Sequence, residues 1–187
     1  MILSDASPFD ARRLALGLAA IAFFMAYALQ QVRLQKAENT LWACHLGCAL
    51  VGLGWLFRSP RTNALGLLWL LPGIFFWMIY LLDGGAFKWS SCLTHVGGNT
   101  LGLLGAAVLG FPTGTWWAAG LGYTFLVLLS RRVSRASENV NFAIHVWPGW
   151  EERFPSHRRY VIGLVLGGFV LFLALELLLQ RFFADAG

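Results

Sequence analysis

The residues able to do chemistry fall in three short stretches of the chain. Glu38, Asn39, Thr40, Cys44, His45 and Cys48 make the first, and Asp83, Ser90, Ser91, Cys92, Thr94, His95 and Asn99 the second. The third holds Glu138, Asn139, Asn141 and His145. On a helix, Cys92, His95 and Asn99 step by three and four and share one face, flanked by Ser91 and Thr94. Cys44 and Cys48 share another face, with His45 about 100° round from Cys44. Such a set can serve three chemistries. A histidine can activate a thiol or hydroxyl as a nucleophile, with an asparagine donating to the oxyanion. Cys44, Cys48, Cys92 and His95 make a Cys₃His set of the kind that holds zinc or copper(I), although the spacing matches no metal signature. Haem ligated by His45 and His95 from neighbouring helices is the third, their depths differing by about 5 Å.

The elements that must position these residues are membrane helices. The chain of 187 residues is 58% apolar and 12% charged, against roughly 45–50% and about 25% in soluble domains. Its apolar residues arrive in six blocks: Leu14–Gln30, Leu41–Phe57, Ala64–Leu82, Phe87–Leu109, Thr115–Ser130 and Val161–Leu179. A bilayer crossing needs about 20 helical residues, with a range of about 17–25. Helix is the one open-ended element that satisfies its own backbone in lipid. The blocks do not alternate apolar with polar as barrel strands do. The expected fold is therefore all-α, a polytopic bundle of about six helices forming a single integral membrane domain. The basic residues sit between apolar blocks and form no nucleic-acid motif, so the net charge of +5 does not indicate nucleic-acid binding.

Glycines at 97, 98, 102 and 105 in block four and at 163, 167 and 168 in block six are candidate packing seams. Pro72-Gly73 is expected to kink block three. Arg12-Arg13 before an apolar run ending near Ala26-Tyr27-Ala28 has the shape of a signal peptide, but five further spans favour an uncleaved first helix. Pro112-Thr113-Gly114 reads as a tight hairpin. Residues 131–159 form the one long loop, expected to lie on or dip into the membrane surface, with Trp147-Pro148-Gly149-Trp150 as an interfacial anchor. Of the 14 Lys and Arg residues, most lie in the odd-numbered connections, which favours those in the cytoplasm, whereas the Arg pair ahead of the first span argues the opposite. Glu176, at the far end of block six, is expected to pair with Arg181 or snorkel. The three cysteines imply no disulfide framework.

Alternating topology brings the three polar stretches to one membrane face, with His95 about 12 Å and Asn99 about 18 Å inside block four. Polar residues that deep face a bundle interior or a watery cavity, so a cavity open to that face is expected. The plainer reading of each residue is an interhelical hydrogen bond, worth about 0.6–2 kcal/mol.

Two families resemble parts of this pattern. Thr94-His95-Val96-Gly97-Gly98-Asn99 resembles the His-x-x-x-Asn of a rhomboid protease's second helix. That family also needs Gly-x-Ser-Gly and a catalytic His on later helices; blocks five and six contain neither, so the rhomboid reading is rejected. The six-block layout, with Cys44 or Thr40 on an early helix and His95 on a middle one, is similar to the YwaF-like bacterial membrane proteins and their animal relatives, the androgen-induced lipid hydrolases. That resemblance implies acyl-ester chemistry on membrane lipids.

The sequence thus leads to a lipid-active acyl hydrolase or transferase integral to the membrane, in the bacterial inner membrane. His95 is the general base, Cys44 or Thr40 the nucleophile, and Asn99 the residue that orients the base or stabilises the oxyanion. His45, Ser91, Thr94, Asn139, Asn141 and His145 line the substrate, a membrane lipid. No resident cofactor is expected on this reading; zinc, copper or haem belongs to the metal-binding alternative. A non-enzymatic subunit or transporter with an oligomeric or complex partner is the third possibility.

Overall fold

The computed structural model describes residues 8–183 of the chain. Six principal helices carry the fold: α1 (Pro8–Arg33), α2 (Ala43–Phe57), α3 (Pro60–Leu82), α4 (Trp89–Leu109), α5 (Thr115–Val133) and α6 (His157–Phe183). No strand occurs among the described residues. Each helix overlaps one apolar block, so the all-α architecture follows from the hydropathy pattern. Helices α1, α3, α4 and α6 are long and apolar enough to cross a membrane. Helix α2 has 15 residues, about 22 Å at 1.5 Å per residue, less than the roughly 30 Å of a hydrocarbon core. Among the described residues, α5 is likewise not one of the helices that meet the spanning criteria.

Helix α2 lies at the centre, packed on α1, α3 and α4, while α6 packs mainly on α5. Glycine makes the tightest approach possible. A Cβ on Gly47 would meet the Gly66 carbonyl at 2.7 Å, so α2 and α3 touch backbone to backbone. The glycines of block four pack as expected, against Phe23, Cys48, Leu67 and Asn63. Those of block six differ: Gly167 has open space where a Cβ would sit, and Gly163 and Gly168 meet only aromatic side chains. Of that run, Gly168 alone meets a neighbouring helix, at Tyr123 of α5. Helix α3 runs unbroken through Pro72, and Ser59 caps it by accepting from the Thr62 N–H at 3.2 Å.

The connections at one end of the bundle are built together. Asn39 Nδ2 donates to Glu138 at 2.7 Å, and Lys36 pairs with Glu138 at 2.6 Å. Arg135 holds both Glu38 and the Gln35 carbonyl. The loop after α1 and the loop after α5 therefore share one face, as the alternation of polar stretches requires. Trp147 turns inward onto Phe76 and Phe142, leaving the exposed Trp150 to reach headgroups.

At the other end Glu176 departs from expectation. Its two oxygens accept from the backbone N–H groups of Gly114 and Trp116, each at 2.7 Å. It is buried and caps the start of α5 instead of pairing with Arg181. Unpaired N–H groups and the positive end of the helix dipole there outbid a distant, flexible arginine.

Candidate functional site

The site grows from the first turn of α2 and the middle of α3 and α4. Asn141, in left-handed conformation at φ 54°, accepts from the Ala43 N–H at 2.9 Å. Its Nδ2 donates to the Leu41 carbonyl at 2.8 Å and to Ser130 at 3.0 Å. This one side chain starts α2 and ties it to α5. Cys44 and His45 follow at once, on the turn so fixed. Cys44 presses on Gly73 of α3, where any Cβ would overlap it. His45 lies under Tyr27 of α1, with ring centroids 3.5 Å apart.

Helix α4 delivers His95 through a π turn over Leu93–Gly97, a local widening that recurs at functional positions. The Nδ1 of His95 lies 2.9 Å from the Ser91 carbonyl and 3.3 Å from the Ser91 hydroxyl. A carbonyl can only accept, so the neutral ring carries its proton on Nδ1 and presents Nε2 as a lone pair. Trp77 stacks on the same ring at 5.3 Å and 3°. Asn99 donates from Nδ2 to the His95 carbonyl at 2.6 Å and to the Leu70 carbonyl at 3.3 Å. It thereby braces the π turn against α3.

Cys44, His45 and His95 each bring one ligand-type atom within 4.8 Å of the others. The His45 and His95 rings meet edge to face at 5.1 Å. All three residues are buried, at 9%, 3% and 3% exposure. Two polar atoms there lack any hydrogen-bond partner, His45 Nδ1 and Asn99 Oδ1. A buried polar atom without a partner costs about 1–3 kcal/mol, and a functional site is one place where that cost persists.

The expected Cys₃His group is not what assembles. The Cys48 thiol lies 3.3 Å from the Ala20 carbonyl on the α1 side. Cys92 is half-buried and stands outside the group, just before the π turn. Periodicity of 3.6 residues puts Cys92 in line with His95; the π turn slips that phase. His45 takes the place of the other two cysteines. The direct ring contact of His45 and His95 suits a single ion rather than an interposed haem plane.

The other sequence candidates fall around this core or away from it. Ser91 orients His95. Thr94 is buried with its hydroxyl on the Ser90 carbonyl at 3.0 Å. Thr40 lies in the 3₁₀ turn before α2 and donates to the Ala37 carbonyl at 2.7 Å. Asn139 accepts from the Ile144 and His145 N–H groups, each at 2.9 Å, and so shapes its own loop. His145 is exposed. Asn139, Asn141 and His145 thus build loop structure instead of lining the His95 ring. Tyr27 and Trp77 stack on the two imidazoles of the group. Tyr27 and Trp77 escaped sequence reasoning, because an aromatic in an apolar block carries no mark of what it stacks on. No family model, curated protein or solved structure matches this chain.

Proposed function

We propose that the protein transfers or hydrolyses an acyl ester of a membrane lipid, in the bacterial inner membrane, with Cys44 as nucleophile and His95 as general base. The observation that carries this reading is the convergence of the Cys44 thiol with two imidazoles within 4.8 Å, one of them held at Nδ1 by the Ser91 carbonyl. Nucleophile, base and orienting group in sequence is the arrangement covalent catalysis requires. His95 stands six residues into α4, about 9 Å below its start. The interfacial layer on each side of the hydrocarbon is about 5–8 Å thick, so that depth suits the ester carbonyls of a lipid.

His95 Nε2 takes the thiol proton, and the Cys44 sulfur adds to the ester carbonyl. Collapse of the tetrahedral intermediate breaks the ester C–O bond, and the imidazolium returns its proton to the departing alkoxide. Water or an acceptor hydroxyl then attacks the thioester and restores the thiol. Both N–H donors of Asn99 are occupied by carbonyls, so Asn99 positions the π turn. His45, with Nδ1 unpartnered, is the donor left for the oxyanion.

Intact-mass analysis of protein purified with native lipids tests this. An acyl adduct is expected that hydroxylamine removes and Cys44→Ser lacks. An unmodified Cys44, with unchanged lipid profiles in cells expressing His95→Ala, would overturn it.

The unpartnered His45 Nδ1 favours a second reading. Cys44, His45 and His95 form a three-ligand set with an open fourth position, the pattern of a zinc centre. Near-stoichiometric zinc or copper, lost in Cys44→Ser and in His45→Ala alike, would establish it in place of the thiol chemistry.

A further inference from the structure

On the same end of the bundle as the Cys44–His95 centre, a cavity of about 380 Å³ opens between α1 and α4. Its walls are Ala26, Leu29, Gln30, Arg33 and Ser90. The chemistry of this lining is one-sided. It contains no acidic side chain, and Arg33 forms no ion pair with a carboxylate among the described residues. Gln30 receives the Ser90 hydroxyl on its Oε1, and its amide N–H donors belong to the same lining as Arg33. Ala26 and Leu29, both exposed on α1, make the rest of the lining apolar. A cation with amide donors at the membrane surface, above an apolar wall, complements an anionic headgroup carrying an acyl chain. Arginine grips a phosphate with two parallel N–H donors.

Two lining residues stand next in sequence to residues that touch the buried centre. Tyr27, next to Ala26, stacks on His45. Ser91, next to Ser90, holds His95. The Gln30–Ser90 hydrogen bond ties α1 to α4 at this groove, and the Tyr27 ring covers His45. Arg33 and Tyr27 are six residues apart on one helix, about 9 Å along its axis. The interval from a glycerophospholipid's phosphate to its ester carbonyls is of that order. A phosphate held at Arg33 therefore sets its own esters near the level of His45 and Cys44.

We infer that the α1–α4 groove is the lateral access route for a phosphate-bearing glycerolipid, gripped by Arg33, whose ester reaches Cys44 when the Gln30–Ser90 contact parts. The inference rests on the acyl-ester reading and names its substrate class.

Binding can be measured apart from chemistry. The full chain in a phosphate-free sugar detergent is titrated with nitroxide-labelled phosphatidylglycerol and, separately, with diacylglycerol bearing the same labelled chains. Electron paramagnetic resonance reads the immobilised fraction. Wild type and Cys44→Ala should immobilise the phospholipid alike and in preference to diacylglycerol. Arg33→Gln should bind it about tenfold more weakly, the loss of a charge-assisted hydrogen bond, and Arg33→Lys should recover most of that. Equal binding of diacylglycerol, or indifference to Arg33→Gln in folded protein, would overturn the inference. Displacement of the phospholipid by millimolar inorganic phosphate would also overturn it, by assigning Arg33 to a free anion. Intact phospholipid binding with no acyl adduct on wild-type Cys44 would retain the groove and remove the acyl chemistry. An adduct that forms equally well in Arg33→Gln would do the reverse.

Discussion

The bundle buries a polar centre at each end, and the two are made differently. At the α4–α5 hairpin end, Glu176 is 4% exposed and both its oxygens are matched to backbone N–H groups at 2.7 Å. At the opposite end, Cys44, His45 and His95 are as deeply buried, yet His45 Nδ1 and Asn99 Oδ1 have no partner. The first centre is complete as it stands. It joins α6 to the start of α5, and its chemistry is that of a helix cap. The second leaves two of its own polar atoms unmatched. Burial is common to both centres; they differ in whether their own hydrogen bonds are satisfied.

The largest effect that would test this contrast is catalytic. On the proposed acyl chemistry, Cys44→Ala should lower lipid turnover by about 10³-fold or more, since it removes the proposed nucleophile, and His95→Ala by about 10²–10⁴-fold. Thermal unfolding of Cys44→Ala in detergent should stay close to wild type, because it removes one small buried atom, whereas His95→Ala leaves a void between Trp77 and His45 and should melt earlier. Variants that retain turnover while melting early would reassign the centre to structure.

Glu176 should behave in the opposite way. Glu176→Ala strands the Gly114 and Trp116 N–H groups and removes two charge-assisted hydrogen bonds, a loss of about 3 kcal/mol or somewhat more. Turnover per folded molecule should be unchanged. A Glu176→Ala protein of wild-type stability would break the comparison from its other side.

An intermediate effect is expected at Asn141, which sequence reading placed at the substrate and the structure places at a helix start. Asn141→Ala should cost about 1–2 kcal/mol through loss of the α2 cap. Because Cys44 and His45 sit on the turn it fixes, turnover should fall as well, by less than in Cys44→Ala. Asn141→Asp, which keeps the acceptor for the Ala43 N–H, should recover part of both. Stability lost with turnover intact would detach the loop from the site.

What could be read from the sequence, and what could not, follows the same division. Apolar blocks announce helices because lipid leaves the backbone no alternative, and alternation of polar stretches brought Cys44, His45 and His95 to one end. The composition of those stretches could not fix the phase of the helix that carries them. A π turn over Leu93–Gly97 has no compositional mark, yet it decides that His95 joins the centre and Cys92 does not. The partners of Glu176 are backbone N–H groups, which every residue but proline owns, so nothing in the residue types points to Gly114 or Trp116. Asn141 looked like a ligand because an asparagine in a loop carries the same groups whether it binds a substrate or starts a helix.

The smallest effect concerns the loops that roof the Cys44–His95 centre. The hydrogen bond from Arg135 holds the Glu38 carboxyl below its ordinary 4.5. For Glu138 burial pushes upward, but Lys36 and Asn39 outweigh it, and the net direction is also down. A carboxylate whose folded value is depressed contributes stability above its unfolded value and loses it as pH falls through the folded one. The tie between residues 34–42 and 134–146 should therefore be at full strength above about pH 4.5 and weaken below it. Exposed ion pairs contribute little, so global melting should barely move. Hydrogen exchange, corrected for its intrinsic pH dependence, should show protection in these two loops falling below pH 4.5 while that around Gly114 and Trp116 holds. Glu38→Gln with Glu138→Gln should abolish the pH dependence and leave the two loops equally open throughout. Protection in the wild-type loops that is flat through that window would show that Asn39 and Asn141 hold the roof without the charges.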